Sequence, residues 1–217
     1  MLLALGCETR AQAPNQQLRD SLSLLNKRIL SEPYSSDLYL RKAALNLELE
    51  QWDYAIETYS DVLLREPKNP AALFYRAYAH GRLRHYDLAR SDYEDFLDIA
   101  PQSLEGRMGL AYILGKQGKK KDALDEYNRL VEMFPSNALS FASRAGYETS
   151  IGFYDLAIYD WGKAMELEPE NTDFIISKAD VYIKMYKLDE AKECLDLAVK
   201  NGVPRGQLLD LYSKCKR

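Results

Sequence analysis

The sequence predicts an all-α fold, a solenoid of about five helical hairpins in one continuous domain, and two kinds of residue ladder predict it. Prolines stand at Pro33, Pro67, Pro101, Pro135 and Pro169, each 34 residues after the last. Alanines keep the same spacing at Ala43, Ala77, Ala111, Ala145 and Ala179, and again at Ala55, Ala89, Ala123, Ala157 and Ala191. A fixed period of this length marks a stack of repeats, each burying its apolar face against its neighbours rather than around one centre.

Ending each repeat two residues after its proline gives 36–69, 70–103, 104–137, 138–171 and 172 to about 205, numbered below as positions 1 to 34. Position 24 holds Tyr59, Tyr93, Tyr127, Trp161 and Leu195, and position 27 holds Val62, Phe96, Leu130, Ala164 and Ala198. Position 4 holds Tyr39, Leu73, Phe141 and Ile175, interrupted by Arg107. Positions 4, 8 and 11 keep the spacing of one helical face, as do 20, 24 and 27, so each repeat carries two amphipathic helices. The break between them falls at position 15, where Gly118 and Gly152 supply turn residues and Glu50-Gln51, Arg84-His85 and Tyr186-Lys187 fill the same gap. The alanines at positions 8 and 20 belong where the two helices approach most closely, because bulk there would push them apart. The proline at position 32 ends the second helix: its ring cannot continue the hydrogen-bond ladder, and the residue before it is steered out of the helical region.

A 34-residue period with small residues at positions 8 and 20, an aromatic at 24 and proline at 32 resembles the tetratricopeptide repeat (TPR) family over residues 36–203. That resemblance implies a right-handed superhelix of antiparallel hairpins whose first helices line a concave groove for peptides or partner domains. It points positions 5 and 9 into the groove: Leu40 and Ala44, Phe74 and Tyr78, Met108 and Tyr112, Ala142 and Gly146, Ile176 and Asp180. Position 13 adds Glu48, Arg82, Lys116, Ser150 and Lys184, so Arg82 and Lys116 form a basic rim beside an apolar, aromatic stripe. Chaperone-binding members of the family grip a peptide's terminal carboxylate with lysine, asparagine and arginine at positions 2, 5, 6 and 9. Here Leu40 and Ala44 stand where lysine and asparagine are expected, and Asp180 would repel a carboxylate, which argues against a cytoplasmic co-chaperone role. The expected function is a non-catalytic adaptor or scaffold that binds a protein or peptide through an apolar or aromatic segment. The alternatives are a structural subunit of a cell-envelope assembly, of the secretion, pilus or outer-membrane-biogenesis kind, and, less favoured by these residues, a cytoplasmic co-chaperone-like protein of the same family.

One polar pattern runs through the repeats. Position 7 carries Lys42, Arg76, Arg144 and Lys178, and position 23 carries Asp92 and Asp160 in the two repeats that have arginine. Facing helices of one hairpin would bring Arg76 to Asp92 and Arg144 to Asp160, as structural pairs that fix register.

Little else in the chain carries chemistry. The two histidines, His80 and His85, are five apart and do not share a helical face, so no metal site is expected. Cys7, Cys194 and Cys215 have no CxxC spacing, although Cys194 and Cys215 could approach each other. No cofactor and no small-molecule substrate are expected, and a net charge of −4 with no clustered basic face excludes nucleic acid. The lysines at 116 and 119–121 straddle a turn and read as a solvated loop.

The ends depart from the ruler. Residues 16–33 form a half-repeat helix with the stripe Leu18, Leu22, Leu25 and Ile29. Residues 1–15 begin Met-Leu-Leu-Ala-Leu-Gly-Cys, which resembles the end of a bacterial lipoprotein signal, with Cys7 lipidated and the polar stretch through Pro14 as a tether without helical periodicity. A cleaved secretory signal ending near Ala13 and a plain cytoplasmic N-terminus are the other readings. The expected location is the cell envelope, periplasmic or lipid-anchored, with the cytoplasm as the alternative. At the far end the proline slips to Pro204 after Asn201-Gly202, and residues 204–217, with Leu208, Leu209, Leu211 and Tyr212, read as a helix capping the last hairpin.

Overall fold

The computed structural model describes residues 8–216, with side chains from residue 15 onward. The chain is all-α: the described residues form helices α1 (Glu8–Ser31), α2 (Ser36–Glu48), α3 (Trp52–Arg65), α4 (Pro70–Arg82), α5 (Tyr86–Ile99), α6 (Leu104–Lys116), α7 (Lys120–Met133), α8 (Ala138–Ile151), α9 (Tyr154–Leu167), α10 (Thr172–Lys184), α11 (Leu188–Lys200) and α12 (Leu209–Lys214), with a 3-10 turn over Arg205–Leu208.

Four of the five repeats start with a side-chain-capped helix, the first being the exception, since Ser35 before α2 makes no such bond. Asn69, Ser103, Asn137 and Asn171, all at position 34, accept a hydrogen bond from a backbone N–H in the first turn that follows, at 2.9 to 3.2 Å. These bonds satisfy donors that a helix start leaves open. The first helix then ends at a residue with left-handed backbone, Glu50, Arg84, Gly118, Gly152 or Tyr186, always at position 15.

The contacts gather the chain into two compact units, residues 1–117 and 118–217. In the first, α1 to α6 pack in chain order, each against the next. Ala43, Ala55, Ala77 and Ala89 have no exposed surface, and Tyr59, Val62, Leu73 and Phe96 fill the space between the helices that the alanines bring together. Gly109 and Gly106 of α6 admit the rings of Tyr93 and Phe96, which a Cβ at either position would overlap. In the second unit α7 to α12 also pack in order, around Ala145, Ala157, Trp161, Phe174 and Val181 and then around Ile175, Leu195 and Ala198. Leu208 and Tyr212 of the terminal segment close that last cluster, and the Tyr212 hydroxyl donates to Asp196 at 2.6 Å.

Two boundaries differ from expectation. The half-repeat helix expected over 16–33 begins at Glu8 and runs through Pro14, so residues 8–15 are helical rather than an irregular tether. The run from Glu8 to Gln17 is rich in Glu, Arg, Ala and Gln, which favour helix without an apolar stripe to announce it. Pro14 removes one backbone donor without ending the helix. The cap expected over 204–217 is the 3-10 turn followed by the six-residue α12. Cys7 lies outside the described residues. No helix among the described residues is long and apolar enough to cross a membrane.

Candidate partner-binding site

In the first unit α2, α4 and α6 carry residues assigned to the groove, and a cleft of about 490 Å3 opens between α2 and α4. Ala44, Leu47 and Glu48 line it from α2, Phe74, Tyr75 and Tyr78 from α4, and Trp52 from the start of α3. The Arg82 guanidinium lies over the Trp52 ring, 4.4 Å from its centroid, and donates to the Tyr78 hydroxyl at 3.0 Å. Trp52 and Tyr78 meet edge to face at 6.0 Å. These contacts fix three large side chains around one wall, so an entering segment meets ordered rings and little side-chain entropy remains to be lost. Tyr75 extends the wall by stacking on Tyr59, with ring centroids 6.1 Å apart.

The aromatic stripe divides by depth. Phe74 is half-buried and wedged against Tyr93 and Phe96, at 5.7 and 5.3 Å, so it belongs to the core as much as to the surface. Tyr78 and Tyr112 are 41% and 52% exposed, and the Lys116 ammonium sits 5.1 Å from the Tyr112 ring. Tyrosine at position 9 with a cation at 13 thus recurs on α4 and α6. Leu40 and Met108 are half-buried. In the second unit Ala142, expected to face the groove, is instead buried in the cluster that holds Trp161 and Phe174, because a methyl group there leaves room for those rings to close over it. Gly146 is exposed and faces open space.

The position 7 arginines meet their aspartates. Arg76 donates Nε and Nη2 to Asp92 at 2.8 and 2.6 Å, and Arg144 does the same to Asp160 at 2.5 and 2.8 Å. Each guanidinium also reaches the preceding repeat, Arg76 to Ser60 at 3.1 Å and Arg144 to Asn128 at 3.0 Å. Asp92 and Asp160 are 4% and 1% exposed, so removing either arginine would leave a buried carboxylate without its counter-charge. Both pairs lie inside hairpins and clasp successive repeats.

Position 11 forms a second buried polar ladder that sequence reasoning passed over, with Asn46, His80 and Glu148 all less than a tenth exposed. Burial pushes the His80 imidazole below its usual value. Burial first, and then the negative charge of Asp160, push the Glu148 carboxyl up to about 7. Trp52 also escaped notice, since it stands at position 17, outside the helix assigned to the groove. Cys194 and Cys215 are free thiols, and burial raises the pKa of both.

A helix pair closed by paired small residues, opened by a capping side chain and ended by proline, repeated in register, defines a helical-hairpin repeat protein of the protein-binding kind. Models of the tetratricopeptide repeat match residues 40–104, 76–138, 108–171 and 173–201, and the chain belongs to that family. It is 27% identical over 173 residues to the Hsp70-Hsp90 organizing protein of Triticum aestivum, covering 80% of this chain and 28% of that protein, so it spans little more than a quarter of that relative's length. Among solved structures, a tetratricopeptide repeat protein from Parabacteroides merdae ATCC 43184 superposes with a TM-score of 0.72 at 19% identity, covering 94% of this chain and 80% of that one. YrrB, described as a TPR protein with an unusual peptide-binding site, superposes with a TM-score of 0.61 at 19% identity, covering 88% and 97%. At these identities the structures share the fold.

Proposed function

We propose that this protein is a non-catalytic adaptor that holds an apolar or aromatic segment of a partner in the cleft between α2 and α4. The observation that carries this reading is the Trp52, Tyr78 and Arg82 arrangement: an exposed tyrosine and a half-buried tryptophan, held in place by a guanidinium, beside an open apolar space. Aromatic and arginine side chains are those most often found to dominate binding energy at interfaces. Arg82 and Lys116 favour a segment with an acidic residue beside its apolar anchor, while the apolar Leu40 and Ala44 make a bare terminal carboxylate a poor fit. Part of the support comes from the family, whose members bind proteins or peptides.

Export with a lipid on Cys7 is the location we propose, from the Gly6-Cys7 run alone. Capture of partners from membrane and soluble fractions of the source cells, with wild type and with Tyr78→Ala/Tyr112→Ala, tests both proposals. The adaptor reading expects a partner retained by the wild type and lost by the double variant. Equal capture by both would refute the cleft as the contact. Fractionation expects the chain in the membrane pellet and its release by Cys7→Ser; a soluble wild type would rule out the anchor.

A further inference from the structure

The clasp at position 7 is complete in the second and fourth repeats and incomplete in the first. There Lys42 occupies position 7, Thr58 takes the place of the aspartate at position 23, and Asn26 of α1 takes the place of Ser60 and Asn128. Thr58 cannot supply the carboxylate that Asp92 and Asp160 give their arginines, and its hydroxyl already donates to the Tyr54 carbonyl at 2.7 Å. Lys42 takes part in none of the ion pairs formed among the described residues.

A cleft of about 370 Å3 occupies this place, within the range of small-molecule sites, roughly 300–1,000 Å3. Lys42 and Asn46 line it from α2. Asn46 is 1% exposed, and its side-chain nitrogen has no hydrogen-bond partner among the described residues. A buried amide donor left unmet is unfavourable, so this one is suited to a guest that accepts from it. Glu57 and Asp61 of α3 line the same cleft, and among the described residues neither is held in an ion pair. Leu22, Gln51 and Tyr54 also line the cleft.

The geometry points to a binding site for a small zwitterion of the α-amino-acid class in the cleft formed by α1, α2 and α3. The guest carboxylate takes the role that Asp92 and Asp160 play in the other repeats, accepting from the Lys42 ammonium and the Asn46 amide. Its ammonium faces Glu57 and Asp61, which repel a simple anion and so select for the zwitterion. Its side chain lies along Leu22 and Tyr54. No small-molecule ligand is expected from sequence, because Lys42, Asn46 and Thr58 look like unrelated departures until the repeat register aligns them with Arg76, His80 and Asp92. The site is separate from the α2–α4 cleft and does not depend on the adaptor reading.

Isothermal titration of the full chain with the free proteinogenic L-amino acids near neutral pH tests this, with acetate and methylamine as the two half-ligands. The expected result is saturable one-site binding of at least one amino acid, with each half-ligand weaker by at least about tenfold. Lys42→Met should lower the affinity by about tenfold or more, and so should Thr58→Asp, whose new carboxylate would engage Lys42 as Asp92 engages Arg76. Both variants are to be checked for unchanged helicity by circular dichroism, and Thr58→Asp should also raise the melting temperature. The proposal fails if no amino acid binds, if acetate binds as tightly as the best of them, or if the two folded variants bind like wild type.

Discussion

At the scale of single residues, the repeat spends conformational strain and buried charge where neighbours can hold them. Glu50, Arg84 and Tyr186 adopt φ of 56°, 62° and 58° at the turn where Gly118 and Gly152 adopt 74° and 85°. A side chain in this left-handed region costs roughly 1–2 kcal/mol, and glycine escapes the cost. Tyr186 is 88% exposed, so trimming it forfeits little packing. Tyr186→Gly should therefore raise stability by up to about 1 kcal/mol in urea denaturation, and Gly118→Ala should lower it by about as much. A buried carboxyl gives a second prediction. Glu148 has a folded pKa of about 7 against 4.5 when free, so the native chain keeps a proton that the unfolded chain has lost. The contribution of Glu148 to stability is then full below pH 4.5 and is lost as pH rises to about 7, by at most on the order of 3 kcal/mol. Glu148→Gln should match wild type at the acid end and melt higher at neutral pH. Parallel melting curves across that window would show that Glu148 is solvated in the folded chain.

At the scale of the helix, repetition made the fold legible. A lone alanine says little, but ten at two fixed positions, all fully buried in the fold, identify the helix crossings. The arginine and aspartate pairs were legible for the same reason, since a spacing of sixteen residues recurs with matched charge. What did not repeat was harder to read. Trp52 reaches the cleft because the tight turn after α2 carries the first residue of α3 back beside α4, a placement with no sequence period. Ala142 keeps the register of the groove yet is buried, because the identity of its neighbours, Trp161 and Phe174, decides depth. The glycines sort the same way. Gly109 lies against the ring of Tyr93, which is 4% exposed, so Gly109→Ala should cost about 1–2 kcal/mol after its gain in helix propensity. Gly146 faces open space within α8, and Gly146→Ala should stabilise by about 0.5–1 kcal/mol. Thermal denaturation of the two variants side by side checks both signs, and a shared sign would contradict the packing.

At the scale of the molecule, the interior is built alike from one hairpin to the next, and what distinguishes the chain lies on its surfaces and at its ends. The regular core needs neither Tyr78 nor Tyr112 exposed, nor Arg82 stacked on Trp52; a stability function would favour polar side chains at these sites. Trp52 also offers a direct probe, since the other tryptophan, Trp161, is buried in the second unit. The most direct measurement is selection of binders from a random peptide library, followed by titration of a selected peptide against Trp52 fluorescence. The expected result is peptides rich in aromatic or aliphatic residues beside an acidic one, a change in Trp52 emission on binding, and a loss of affinity of about tenfold or more in Tyr78→Ala/Tyr112→Ala at nearly unchanged melting temperature. Selected peptides that bind the double variant as tightly as wild type, or a double variant that melts far below it, would contradict the claim that this cleft is the partner-binding surface.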